Sequence, residues 1–219
     1  VIVGLKDAVP GVRERAVLAS EKLAASDAVL QTLVTMTDDE NARVKMQLGF
    51  SLGEFPSSDA GRNALEKLLA GSGQDRWIRT AVFTSLGNDA TDAFLTLAAT
   101  SSNTASVATV ALIELADLVA RRTSEESGWG KIAAAIAERH DDPAIQVKLL
   151  QAIFAANKAA QSSPSFAQLS TQLLESARTK AVDTNVSEDL RAAALSAFSL
   201  SSWSQDGELL LSSLESTEP

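Results

Sequence analysis

Apolar residues along this chain fall into short helical stripes separated by polar punctuation, and one stretch sets the pattern. Residues 37–55, TDDENARVKMQLGFSLGEF, place Val44, Leu48, Leu52 and Phe55 at the spacing that brings side chains onto one face of a helix. Thr37, followed three residues later by Glu40, predicts a capping box in which hydroxyl and carboxylate each take a free backbone amide. Pro56 predicts the end. Related phrases stand at 7–23, DAVPGVRERAVLASEKL, and at 75–86, DRWIRTAVFTSL. Between and beyond them the spacing predicts helices over 12–24, 28–36, 77–86, 92–100, 105–122, 128–140, 166–181 and 187–200. Ser58–Asp59 starts another, striped by Leu65, Leu68 and Leu69. Asp142–Pro143 and Ser163–Pro164 each join a capping residue to a first-turn proline, and the former starts a helix to about residue 159. A last helix is expected over 207–214. About a dozen helices with loops of a few residues define an all-α chain.

Taking the apolar residue of the Val-Arg pair as an anchor, the phrase recurs at Val12, Val44, Ile78, Val147 and Leu190, with Val110 at the place of a fourth copy that has lost its cation, at intervals of 32 to 43 residues. Two-helix repeats of the HEAT and armadillo kind have such periods, and the paired aromatics of tetratricopeptide repeats are missing. An acidic or polar residue stands six before the cation in several copies: Asp7 before Arg13, Asp39 before Lys45, Asp142 before Lys148, and Asn185 before Arg191. Gly73 holds that place before Arg79.

In these features the chain resembles the HEAT-repeat family. The resemblance implies a single domain over residues 1–219, a right-handed α-α superhelix of about six helix pairs. It also implies a ladder between stacked repeats, carried here by Asp7, Arg13, Asp39, Lys45, Asp142, Lys148, Asn185 and Arg191. The second helix of each pair lines the concave side of such a stack, and Glu14, Met46 and Thr80 fall at equivalent positions there. Phe50 and Phe83 flank them and are expected to pack between repeats, and the five residues together are the candidate concave binding surface.

The run VKMQLGFSLGEF followed by DRWIRTAVFTSL is similar, more narrowly, to HEAT segments of large multidomain proteins of planctomycete-type bacteria. There a dehydrogenase-like domain precedes the repeats and a c-type haem module with a C-x-x-C-H motif follows them. That resemblance implies a connecting scaffold in an extracytoplasmic redox protein, with the redox chemistry carried outside these residues. The chain opens with Val in mid-pattern, which reads as a segment of a longer protein. Leu209, Leu210, Leu211 and Leu214 read as an uncapped last repeat, and association through the ends is expected.

Composition narrows the reading. At 219 residues and 45% hydrophobic the chain can bury a continuous core. Aromatics make up 5% with no tyrosine, so Leu, Val, Ile and Ala must build it. The 19 basic and 28 acidic residues give a net charge of −9, with 10 against 13 over residues 1–110 and 9 against 15 beyond. No positive stripe offers counterion exchange with phosphate, so nucleic acid is not an expected partner. Cysteine is absent, which excludes thiolate nucleophiles, zinc–thiolate sites and disulfides within these residues. No apolar run reaches the roughly 18–20 residues of a membrane span, because Glu114 and Asp117 break the longest, over 107–120.

Candidate chemistry is sparse. His140 is the single histidine and stands at a helix end, where an imidazole can bond the last carbonyls. Asp38, Asp39 and Glu40, like Asp141 and Asp142, lack the alternating oxygens and glycine of a calcium loop and read as solvated helix starts. Gly71 and Gly73 lack the lysine of a phosphate loop. Trp77, Trp129 and Trp203 stand near helix ends and are expected to plug gaps between helices. No catalytic, metal or cofactor residue is assigned. The expected function is a non-catalytic scaffold binding a protein, either another domain of the same chain or a separate molecule. Two other readings stay open: an enzyme on a HEAT-like scaffold, such as a bilin lyase, and a free-standing adaptor for a peptide or helix.

Overall fold

The computed structural model describes residues 1–55, 58–99, 105–183, 185–201, 206–208 and 211. Among the described residues the chain is all helical, with short 3-10 turns between α-helices and no strand. It divides into two compact units, residues 1–115 and 116–219, the division falling inside the eighth helix.

The first unit holds α1 (Ile2–Leu5), α2 (Pro10–Ser20), α3 (Asp27–Val34), α4 (Ala42–Ser51), α5 (Asp59–Ser72), α6 (Arg76–Leu86), α7 (Ala90–Ala99) and the first part of α8 (Ala105–Arg122). Helix α2 packs on α4 and α4 on α6; α1 packs on α3, α3 on α5 and α5 on α7. Each helix thus lies against the one two places along, giving two layers joined by contacts such as α5 with α6. Val17, Leu33, Val44, Leu48, Leu68, Leu69, Val82 and Phe94 are fully buried between them. The second unit repeats the rule. Its α9 (Glu126–Ala137) packs on α11 (Pro164–Ala181), and α10 (Pro143–Ala156) packs on α12 (Glu188–Ala197). Val147, Leu174, Ala177, Ala194, Ala197 and Phe198 form a core cluster there. Phe166 is fully buried, with Trp129 tilted against it at 5.6 Å and Phe154 edge-on at 5.8 Å.

Glycines explain how closely α4 meets α6. A Cβ built on Gly49 would stand 3.0 Å from that of Ala81, and one on Gly53 would stand 2.6 Å from that of Ser85. The close approach lets the Ser85 hydroxyl donate to the Phe50 carbonyl at 3.1 Å. Helix α6 ends at Gly87, whose φ of +49° lies in the left-handed region that suits glycine.

Capping corrects the central stretch. Thr37 and Glu40 form no capping box: Thr37 is buried in a 3-10 turn over Thr35–Asp38, and its hydroxyl donates to the Val34 carbonyl at 3.1 Å. The turn extends α3 past Thr37, so α4 starts later, capped by the Asn41 side chain, which accepts from the Arg43 and Val44 amides. Elsewhere the expected caps divide: Ser163 stands before α11 but its side chain caps no amide, its hydroxyl donating instead to Glu126 Oε1 at 3.0 Å. Ser58 accepts from the Gly61 amide and Asp142 from the Ile145 amide, while Asp75 caps α6 through the Trp77 and Ile78 amides. The anchor positions divide: Val44, Ile78 and Val147 are buried, but Val12, Val110 and Leu190 are exposed. On α2 the buried positions are Ala16, Val17 and Ser20, one turn further along, so Val12 faces water. Pro56, Trp203, Leu209, Leu210 and Leu214 lie outside the described residues; Leu211 is exposed.

Candidate functional site

Two arginines bind successive helix pairs together. Arg13 on α2 donates through Nε and Nη2 to the two carboxylate oxygens of Asp39, at 2.7 and 2.9 Å, and through Nη1 to the carbonyls of Asp7 and Ala8. Arg79 on α6 repeats this fork, reaching both Glu114 oxygens at 2.8 and 2.7 Å and the carbonyls of Gly73 and Gln74 at 2.8 and 2.9 Å. In each case the acceptor six residues back is a backbone carbonyl, and the carboxylate comes from further along the chain. The planar guanidinium suits this because its parallel N–H bonds match a carboxylate while the remaining donors close the turn beneath it. Hydrogen bonding to Glu114 holds Arg79 firmly cationic against the opposing effect of burial. Burial pushes the Asp39 carboxyl up, but the Arg13 hydrogen bond, the Asn41 amide and the charges of Arg13 and Lys45 together hold it below the ordinary range.

The other expected ladder members are not paired in this way. The Asp7 carboxylate turns onto its own Val9 amide, and Lys45 donates to the Ser72 hydroxyl at 2.8 Å. Asp142 is committed to capping α10, and among the described residues exposed Lys148 meets no carboxylate. Asn185 bonds Asp183, leaving the buried Nε of Arg191 without a hydrogen-bond partner among the described residues. The reason is geometric: six residues of chain bring a carbonyl under the cation, whereas a carboxylate at that position is used by the amides just after it. A bridge absent from the sequence reading joins Arg178 on α11 to Asp206, at 2.7 and 3.0 Å, with the Ser201 hydroxyl on the same carboxylate. Hydrogen bonds from Arg178 and then Ser201 hold Asp206 below the ordinary range.

In the α2–α4–α6 layer, Glu14 pairs with Arg43 at 3.1 Å, and Glu21 takes hydrogen bonds from Gln47 and Ser51. Met46 and Phe83 are half-buried, and Thr80 is exposed with its hydroxyl on the Arg76 carbonyl. Phe50 corrects its expected place between repeats: it is exposed, because the close contact of α4 with α6 is taken by Gly49 and Gly53. Trp77 is corrected likewise. It is 64% exposed at the first turn of α6, with the Arg76 guanidinium 5.8 Å from the ring centroid, while Trp129 is buried as a helix-gap plug. Leu18 on α2 is also exposed. An exposed tryptophan on α6 and an exposed Phe50 on the neighbouring α4 are the compositional mark of an interaction surface.

His140 lies exposed after α9, its Nδ1 3.0 Å from the Glu138 carbonyl and its Nε2 3.4 Å from Asp141. Asp38 pairs with Lys67, and among the described residues no three His, Asp or Glu side chains gather as a metal ion would require. Glu66 on α5 is the odd carboxylate: burial pushes it above its ordinary value, and its Oε1 is buried without a hydrogen-bond partner. A cavity of about 470 Å³ in the second unit is lined, among the described residues, by uncharged side chains that include Gln151, Phe154, Gln161 and Ser170. Among the described residues no helix is long and apolar enough to cross a membrane. No protein-family model matches the chain, and no curated protein or solved structure matches it significantly.

Proposed function

We propose that the chain is a helical-repeat scaffold of the HEAT kind, a right-handed superhelix of about six helix pairs whose α2–α4–α6 layer receives a protein partner, and that it carries no catalysis of its own. Packing of each helix on the one two places along supports the repeat reading, as do the matching forks of Arg13 and Arg79. The observation that carries the interaction reading is Trp77, a large aromatic left 64% exposed on the layer that also exposes Phe50 and Leu18. Burying a tryptophan and a phenylalanine in a partner supplies the anchors that dominate interface energies.

A photo-crosslinking side chain placed at Thr80 tests this. A partner captured there is purified and its affinity measured for the unmodified chain and for Trp77→Ala; a loss of tenfold or more is expected, with unchanged helical circular dichroism. Equal affinity of Trp77→Ala, or equal capture from a control position on α5, overturns the reading. On the narrower resemblance the partner is a domain of the same polypeptide, and the flanking coding sequence decides: a C-x-x-C-H motif downstream supports it, further repeats alone remove it.

A further inference from the structure

The cavity of the second unit is walled by four elements: Gln151, Phe154 and Ala155 come from α10, Gln161 from the 3-10 turn after it, Ala167 and Ser170 from α11, and Ser199 and Leu200 from the turn after α12. Its volume, about 470 Å³, lies within the roughly 300–1,000 Å³ of small-ligand sites. Phe154 is held edge-on against buried Phe166, so its half-buried ring is a fixed apolar floor, extended by half-buried Leu200. Ala155, Ala167, Ser170 and Ser199 are the small residues of the walls. None of the eight described side chains carries a charge in a chain that is 21% charged, so a phosphate, carboxylate or amine finds no counter-ion among the described lining residues.

The polar groups have spare capacity. Gln151 commits one amide hydrogen to the Ser199 hydroxyl at 2.6 Å, which leaves its carbonyl free to accept. Among the described residues the exposed Gln161 amide and the Ser170 hydroxyl make no hydrogen bond, so each offers both a donor and an acceptor. Neutral donors and acceptors around an apolar floor match the peptide backbone, which offers one N–H and one C=O per residue and no charge. Small Ala155, Ala167 and Ser199 leave the backbone room to approach. We infer that this groove binds an uncharged, extended peptide segment of a partner protein, with an apolar side chain of that segment on Phe154 and Leu200. This site is separate from the layer bearing Trp77 and stands or falls independently of it.

The test is a titration of the full chain with the blocked peptide acetyl-Ala-Leu-Ala-amide, followed by amide chemical shifts. Saturable shifts are expected at Gln151, Gln161, Ser170 and Ser199, including the side-chain amides of both glutamines. Ala167→Glu, an exposed change that puts a carboxylate into the lining, is expected to weaken binding tenfold or more. Gln161→Ala, also exposed, should weaken it severalfold with the amide spectrum otherwise intact. Acetyl-Glu-Leu-Glu-amide should bind at least tenfold more weakly than the neutral peptide. Absence of saturable shifts overturns the proposal, as does unchanged affinity in Ala167→Glu. If 1-hexanol, apolar but without amides, competes as well as the peptide, the groove recognises apolar matter alone and the peptide assignment is overturned.

Discussion

Replacing Arg79 by methionine tests whether the bridges act as ion pairs or as clamps on backbone carbonyls. Two groups lose a partner in Arg79→Met, and they differ in their access to water. The Glu114 side chain is 47% exposed, so its carboxylate rehydrates when the guanidinium leaves, and a pair this wet is worth about 0–1 kcal/mol. Gly73 is buried, so its carbonyl has no such recourse, and an orphaned buried acceptor costs about 1–3 kcal/mol. Loss of a charge-assisted bond to Gln74 brings the total to about 3 kcal/mol, since the methionine stem keeps part of the packing. In a unit of this size that lowers the melting temperature by about 10 °C. Glu114→Gln keeps an acceptor facing the guanidinium and should cost no more than about 1 kcal/mol. Urea unfolding at low and high salt reads both: the Glu114→Gln effect should shrink with salt and the Arg79→Met effect should not. Equal costs for the two variants, or a salt-sensitive loss in Arg79→Met, would refute the clamp.

Gly53→Ala should destabilise by about 1–3 kcal/mol in urea unfolding, because its methyl would stand 2.6 Å from the Ser85 Cβ and 2.9 Å from the Ser85 Cα, and backbone must move. Gly71→Ala, with nothing within 4 Å of the added methyl, is the control and should cost less than about 0.5 kcal/mol. Glu66→Gln should raise stability at pH 7: a carboxyl raised above its ordinary 4.5 favours the fold below that pH, and the advantage is lost as pH rises through the raised value. Melting curves of this variant and the parent should therefore converge toward pH 4. Asp39 and Asp206 work in the opposite sense, since both are held below 3.8. Their contribution is complete above that value and disappears as pH falls through the lowered ones, so Asp39→Asn should unfold with a shallower acid dependence below pH 4.

The helices were legible because each is announced locally. Leu and Ala at helical spacing mark the faces, and Ser58 and Asp142 sit where their oxygens meet free amides. Thr37 misled because the residues before it, TLVT, continue a helical path into a 3-10 turn; a hydroxyl inside a turn finds the preceding carbonyl before it finds an amide ahead. Trp77 and Trp129 read alike in sequence, each near a helix start. Only packing separates them: α9 presents Trp129 to Phe166 on α11, while Trp77 stands one residue before buried Ile78, rotated about 100° from it around the helix and left exposed.

The bridges were half legible, for a reason that reaches beyond them. A search for a carboxylate six residues before each cation finds Asp7 and Asp142 and rejects Gly73, yet Arg79 over Gly73 makes the same fork as Arg13 over Asp7. The acceptor at that position is the peptide carbonyl, which every residue has, so the sequence at that site is free to vary. The carboxylate that completes the fork comes 26 residues on in one case and 35 in the other, from a 3-10 turn's end and from the middle of α8. No fixed period connects those two positions. The groove over Phe154 has the same character, since its lining is drawn from four elements, each contributing one to three ordinary uncharged residues. Contacts made through backbone, or assembled from residues with no chemistry of their own, leave no motif; their physical signal is an arginine with every approach filled, or a cavity with its polar groups unspent.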